Sequence, residues 1–247
     1  MASPVDPSLP WPVLPHDPIR RLAENLWWVE GDLPNMQLRR AMTVARLRNG
    51  GLVLHNAVAL SEDGMRELES LGPPRVIVVP NGWHRIDAAR FKARYPDAKI
   101  VCPAGSQKGV SKRVAVDATY DSLPEPSPGD PSVRLSSFGA EDKARKEGAM
   151  LVESSDGLTV VLNDALFNLP YFKGFFWWFY GRVLGGAGGP RVTPSAKLAI
   201  VHGGTRRALK AFLSDLADRG VVRLIPGHGA PIAENAAAVA RDIAGTL

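Results

Sequence analysis

The 247-residue chain is long enough to bury one sizeable core, and 45% hydrophobic against 22% charged residues is the balance of a soluble globular protein. Its single cysteine, Cys102, excludes an internal disulfide and a cysteine-clustered zinc site, and fits a reducing, cytoplasmic location. A formal net charge of +5, with acidic and basic residues interleaved along most of the chain, argues for solubility and against a nucleic-acid partner.

Residues 1–20, opening MASPVDPSLPWPVLP, lack the basic start and continuous apolar stretch of a signal peptide and predict an extended, proline-stiffened arm. Residues 21–247 then form one domain. Residues 22–29 (LAENLWWV) predict a strand and 42–47 (MTVARL) an antiparallel one; Asn49-Gly50-Gly51 turns the chain into a partner at 52–54, which leads to His55. A helix over 61–71 follows, capped by Ser61, with Glu62 and Asp63 at its positive end and Met65, Leu68 and Leu71 facing inward. Pro73-Pro74 breaks it, and 75–79 (RVIVV) reads as a strand buried on both faces, delivering the loop from Pro80 to Asp87. A helix at 88–94 and a strand at 99–102 complete a strand–helix–strand rhythm, the mark of an α/β layered fold.

Residues 106–131 are polar and proline-rich and predict a loop with a short strand at most. Strands at 132–137 and 149–153 flank the charged segment 141–147, and 158–162 (LTVVL) pairs with the second and ends at Asn163-Asp164. Beyond an aromatic region at 168–193, residues 194–201 continue the chain. An amphipathic helix at 205–219 then buries Leu209, Phe212, Leu213 and Leu216, is ended by Gly220, and turns Arg206, Arg207 and Lys210 to solvent. A closing strand at 221–225 stops at Pro226-Gly227, and a helix at 234–243 finishes the chain.

Two of these strand ends suit a metal or a substrate. His228 stands between two glycines, where no neighbouring Cβ shields its imidazole; a turn histidine bonded to a backbone carbonyl is the plain alternative. Asp164, at the end of a short apolar strand, is placed to face a shared cleft.

This order of elements resembles the metallo-β-lactamase fold superfamily over residues 22–232. Its sharpest pieces are Asn163-Asp164-Ala165-Leu166-Phe167, similar to the superfamily's GDALF aspartate motif, and IPGHG at 225–229, similar to its terminal histidine motif. FKARYPDAKIVCP at 91–103 is similar to the segment after the superfamily's histidine cluster. The resemblance implies a four-layer αββα sandwich with the site along one edge of two sheets. It also implies two metal ions, zinc or iron, held by an HxHxDH motif, a middle histidine, a bridging aspartate and the terminal histidine. Here the HxHxDH position reads Val79-Pro80-Asn81-Gly82-Trp83-His84, FGAEDKARKEG at 138–148 supplies no middle histidine, and His55 stands where an aspartate often follows the second hairpin strand. What carries over is a degenerate site in which one zinc or iron ion is held by His84, Asp164 and His228. Such an ion would activate water to hydrolyse a small, partly apolar ester, lactone or thioester. A relic cleft without a metal is the alternative.

Asp87, near His84, is a candidate general base or substitute ligand, although an aspartate here more often caps the helix that follows. His55 is a candidate for the substrate side of the same cleft, His202 for a loop cap, and His16, in the arm, has no assigned role. No G-x-S-x-G elbow occurs, and Gly203-Gly204-Thr205 lacks the length and lysine of a P-loop. The run from Tyr171 to Tyr180 is too short to span a bilayer. It reads first as packing in the core or between two copies of the chain. Second, it reads as a lid whose Phe172, Trp177 and Trp178 touch an apolar substrate, and third as a peripheral membrane contact through Lys173 and Arg182. A non-catalytic protein that binds a hydrophobic ligand or a partner through residues 172–180 is the rival function, and a metal count separates the two.

Overall fold

The structure, a computed structural model, describes residues 11–247 apart from the side chains of Phe176 and Trp177, so the first half of the expected arm lies outside the described residues. Alternation of aliphatic residues along short strands builds the architecture. β1 (Arg20–Ala23), β2 (Leu26–Asp32), β3 (Arg39–Arg46), β4 (Leu52–His55), β5 (Pro74–Val78), β6 (Lys99–Cys102) and β7 (Ala118–Thr119) lie in that order in one seven-stranded sheet. Pairing is antiparallel from β1 to β4 and parallel from β4 to β7. Parallel neighbours need crossovers, and α1 (Glu62–Ser70) and α2 (Ala88–Arg94) supply the first two.

β8 (Val133–Ser136), β9 (Ala149–Ser154) and β10 (Gly157–Val161) form a second, antiparallel sheet, while β11 (Phe167–Leu169) and β12 (Gly189–Arg191) begin a third. β13 (Arg223–Ile225) then joins the second sheet parallel to β10, and β14 (His228–Gly229) joins the third parallel to β11. The remaining helices are α3 (Gln107–Val110), α4 (Phe175–Trp178), α5 (Pro194–Ala199), α6 (Gly203–Asp218) and α7 (Ala236–Thr246).

Successive strand residues point to opposite faces, and the core divides accordingly. Val53, Val76, Val78 and Val101 of the large sheet meet Met150, Val152, Val161 and Ile225 of the second sheet. Their neighbours Leu52, Leu54, Ile77 and Ile100 turn the other way, onto Met65 and Leu68 of α1 and Phe91 of α2. Leu151, Leu158, Val160 and Leu224 likewise pack on Leu209 and Leu213 of α6 and Ile243 of α7. Three apolar interfaces therefore stack helix on sheet on sheet on helix, the αββα order. Leu54 and Phe91 are fully buried, and each such side chain contributes roughly 1.5–3 kcal/mol.

Ser61 caps α1 as its sequence predicts, its Oγ accepting from Gly64 N at 3.3 Å. Elsewhere the chain departs from expectation. The single strand expected at 22–29 is a tight hairpin, with Leu26 pairing back to Ala23. A helical turn, α3, falls within the expected loop, and Thr193 Oγ1 caps α5, which the sequence did not signal. His16 is not idle. Its Nε2 accepts from Ser61 N at 2.9 Å while Nδ1 donates to Asp17 O at 2.8 Å, and Trp11 Nε1 donates to Leu60 O, pinning the described part of the arm beside α1.

Candidate metal centre

Three chain segments end at one edge of the sheets and bring His84, Asp164 and His228 together. Beyond β5, Asn81 Oδ1 accepts the backbone N–H groups of Trp83 (2.9 Å) and His84 (3.1 Å), a side-chain-closed turn that folds His84 back over the edge. Beyond β10, Asp164 follows buried Asn163. His228 begins β14, opposite Phe167 in register. Gly229 beside it has φ +92°, and a Cβ there would lie 2.0 Å from Asn168 O, so only glycine lets β14 lie against β11.

His84 Nε2 lies 3.1 Å and His228 Nε2 3.2 Å from the same atom, Asp164 Oδ1, and the ligand atoms of all three residues fall within 4.8 Å of one another. The far nitrogens of both rings are tied outward. Asn56 Nδ2 donates to Ala41 O at 2.8 Å, which leaves its Oδ1 to accept from His84 Nδ1 at 3.1 Å. His228 Nδ1 donates to Arg39 O at 2.5 Å, a carbonyl that can only accept. Phe167 stacks on the His228 ring at 5.1 Å and 12°. With its outer nitrogen donating, each imidazole turns Nε2 toward a carboxylate oxygen, an arrangement that needs a proton or a cation between the two atoms. Two such nitrogens and one carboxylate oxygen, with the outer N–H groups donated to carbonyl oxygens, are a donor set that fits one zinc or iron ion with a position left open.

Asp164 is held from behind. Its Oδ2 accepts from Asn81 Nδ2 at 2.8 Å, and the same amide reaches Glu147 Oε2 at 3.2 Å. Glu147 is fully buried; it accepts the backbone N–H groups of Asn163 (3.0 Å), Asp164 (3.0 Å) and Ala165 (2.8 Å), so it shapes the loop that carries Asp164. Burial, and then the Asp164 charge, push the Glu147 carboxyl above its ordinary range. Burial acts the same way on Asp164, but His84 and His228 outweigh it and hold that carboxyl well below the usual range.

Glu147 and Asn81 escaped the sequence reading. Asn81 stands where the resemblance expects the second motif histidine, and Glu147 lies in the stretch searched for a middle histidine. A carboxylate at the end of a charged run reads as solvated, and the one available signal was its place next to the apolar strand β9.

Two predicted site residues lie elsewhere. His55 is buried within β4, between β3 and β5, and its Nε2 has no hydrogen-bond partner among the described residues; burial, helped by the charge of His84, brings its pKa down to about 3. It therefore packs inside the sheet instead of facing the cleft. Asp87 is also buried, with Arg40 and Ala59 N on Oδ2 and Arg90 on Oδ1, and it makes no cap bond to α2. Both of its oxygens serve a buried ion pair. His202 occupies the cap position of α6 without a side-chain bond to it.

A cavity of about 640 Å³ opens over the triad. Leu38, Phe167, Leu169, Ala196, Ala199 and Ile200 supply apolar wall, and Arg40, Tyr180 and Ser195 are its polar lining beyond the triad. Tyr180 Oη and Ser195 Oγ are 2.9 Å apart. Tyr180 thus brings the aromatic run to the cavity. Phe172 lines a separate pocket beside Asn168 and Gly229, Trp178 is outside both linings, and the Trp177 side chain lies outside the described residues.

No protein-family model matches the sequence, and no curated protein matches it. Solved structures do match. DIM-1 metallo-β-lactamase exposed to ceftazidime superposes with a TM-score of 0.60 at 13% identity, covering 95% of this chain and 98% of that one. FIM-1 from Pseudomonas aeruginosa, in its mono-zinc form, gives 0.60 at 11% identity, with 96% and 98% covered. A metallo-β-lactamase from Pontibacter korlensis gives 0.59 at 9% identity, with 93% and 99% covered. At such identities the likeness is one of fold.

Proposed function

From a chain with the metallo-β-lactamase fold, we propose a metal-dependent hydrolase that holds one zinc or iron ion and acts on an ester, lactone or thioester with an apolar acyl part. The observation that carries this reading is the convergence of two outward-tied imidazoles on Asp164 Oδ1 at the base of an apolar cavity. An ion bound there supplies Lewis acidity, polarising a carbonyl oxygen and lowering the pKa of water to about 7.

The chain's own residues do the rest. His84, Asp164 and His228 would hold the ion, and Asn56 and the Arg39 carbonyl keep both Nε2 atoms turned inward. Glu147 and Asn81 fix Asp164 in place. The cavity walls take the acyl part and exclude water from it, and Arg40 on that wall is paired with buried Asp87, which it shares with Arg90.

The same lining suits the rival, a non-catalytic binder of an apolar ligand. Hydrolysis of an ester, lactone and thioester series by zinc- or iron-loaded protein separates them. Turnover that disappears in Asp164→Ala and with chelator supports the hydrolase; metal-loaded protein that binds the series without turning any over supports the binder.

A further inference from the structure

Among the described residues, most of the exposed large apolar side chains are gathered in one place, with Val13 and Leu198 apart from them. Phe175 is 81% exposed, and Tyr171, Trp178, Phe179, Val183 and Leu184 are 43–55% exposed. All six lie on α4, on the π-helical turn Phe179–Val183 that continues it, or beside them. Met36, Trp83 and Ile86, also exposed, stand on the cavity that Tyr180 of this segment lines. Apolar area concentrated in this way marks a docking face, whereas scattered single residues would not.

Charge identifies what docks there. Residues 165–214 contain seven lysines and arginines and no aspartate or glutamate. Seven exceeds the whole chain's net charge of +5, so the remainder is net acidic; Arg206, Arg207 and Lys210 lie on α6, where Arg207 pairs with Glu141, and Lys173, Arg182, Arg191 and Lys197 lie on the aromatic segment and the strand and helix that follow it. Lys173 and Arg182 are exposed among those aromatics, with the Arg182 guanidinium 4.4 Å from the centre of the Tyr171 ring. Across a two-fold axis, a second copy of this chain would set like charges against each other. No helix among the described residues is long and apolar enough to cross a membrane. Exposed tryptophan and phenylalanine on a short helix, flanked by Lys173 before it and Arg182 after it, instead suit the headgroup layer.

We propose that the face around Phe175 docks on a membrane surface bearing anionic phospholipid headgroups. Phe175, Trp178 and Phe179 enter the boundary between headgroups and acyl chains, and Lys173 and Arg182 meet phosphates. The cavity mouth, bordered by the same apolar rim, then lies against the lipid.

Co-sedimentation of the full chain with phosphatidylcholine vesicles, with and without phosphatidylglycerol, tests this. The expected result is binding to the anionic vesicles that weakens as salt rises. Lys173→Glu with Arg182→Glu should lower the partition at least roughly thirtyfold, from the loss of two surface cations. Phe175→Ser with Phe179→Ser should lower it by a similar factor, with circular dichroism and the thermal midpoint unchanged because these side chains are exposed. Protein that stays in the supernatant with both vesicles, or binding that neither variant weakens, overturns the proposal. So does a dimer, detected by light scattering, that the phenylalanine variant dissociates.

Discussion

His84 and His228 stand edge to face, their ring centroids 5.0 Å apart, and both turn the same nitrogen toward one oxygen of Asp164. Neither ring orients the other. His84 is set by the side-chain amide of Asn56, and His228 by the Arg39 carbonyl and the face of Phe167. The arrangement therefore depends on residues that would never touch the ion, and their removal separates ligand loss from ligand disorder.

Asn56 is the more accessible test, because the Arg39 acceptor is backbone. Asn56→Ala leaves all three ligands in place but frees the His84 ring. Zinc affinity, measured by competition with a chromophoric chelator, should fall roughly 10- to 100-fold. Unchanged affinity would mean that His84 needs no orienting partner.

Glu147 accepts three backbone N–H groups of the Asp164 loop and the Asn81 amide. Glu147→Gln keeps its volume but turns an NH2 group toward buried donors. Urea unfolding should show a loss of about 1–3 kcal/mol, and zinc affinity should fall with it because Asp164 loses its support. An unchanged midpoint would contradict the role assigned to this carboxylate.

His55 gives the folded state an acid-sensitive element. Burial first, and the His84 charge second, lower its pKa from an ordinary value of 6.5 to about 3, so the unfolded chain takes up a proton before the folded one does. Its contribution to stability is fully present above pH 6.5 and is lost as the pH falls toward 3, at about 1.4 kcal/mol per unit. His55→Leu removes both the titration and an unpartnered buried nitrogen. The difference in unfolding free energy between wild type and variant should therefore slope below pH 6.5 and be flat above it. Parallel curves would rule out a neutral buried imidazole.

The cavity makes its own demand on an acyl series. Each added methylene buried against Leu38, Leu169 and Ile200 is worth about 0.8 kcal/mol, so kcat/KM should rise roughly fourfold per methylene until the cavity is filled. Ala199→Phe fills part of that wall and should shorten the optimum chain while leaving metal content intact. Indifference to chain length would place the acyl group outside the cavity.

The layers of this protein, and the three residues that converge at the sheet edge, were legible in its sequence, and the supports behind those residues were not. Apolar strands alternating with amphipathic helices gave the layers, because each needs a face to bury. Asp164 and His228 sit in local motifs, where glycine and strand ends betray a bared side chain. Glu147, Asn81, Asn56 and Arg39 act on partners far away in the chain, and pairings of that kind leave no local pattern. His55 was misplaced for a related reason: β4 is buried on both faces, so its four residues show no alternation that would say which way an imidazole points. Asp87 was misread because nothing near it in sequence marks Arg40 as its partner across the sheet edge.

The measurement closest to the central claim is metal content per chain, by elemental analysis of protein purified without chelator or affinity histidines, alongside His84→Ala and His228→Ala. About one zinc or iron ion per wild-type chain, lost in either variant, is the result the geometry predicts. No ion in the wild type, or an ion that persists in both variants, would contradict a metal centre at His84, Asp164 and His228.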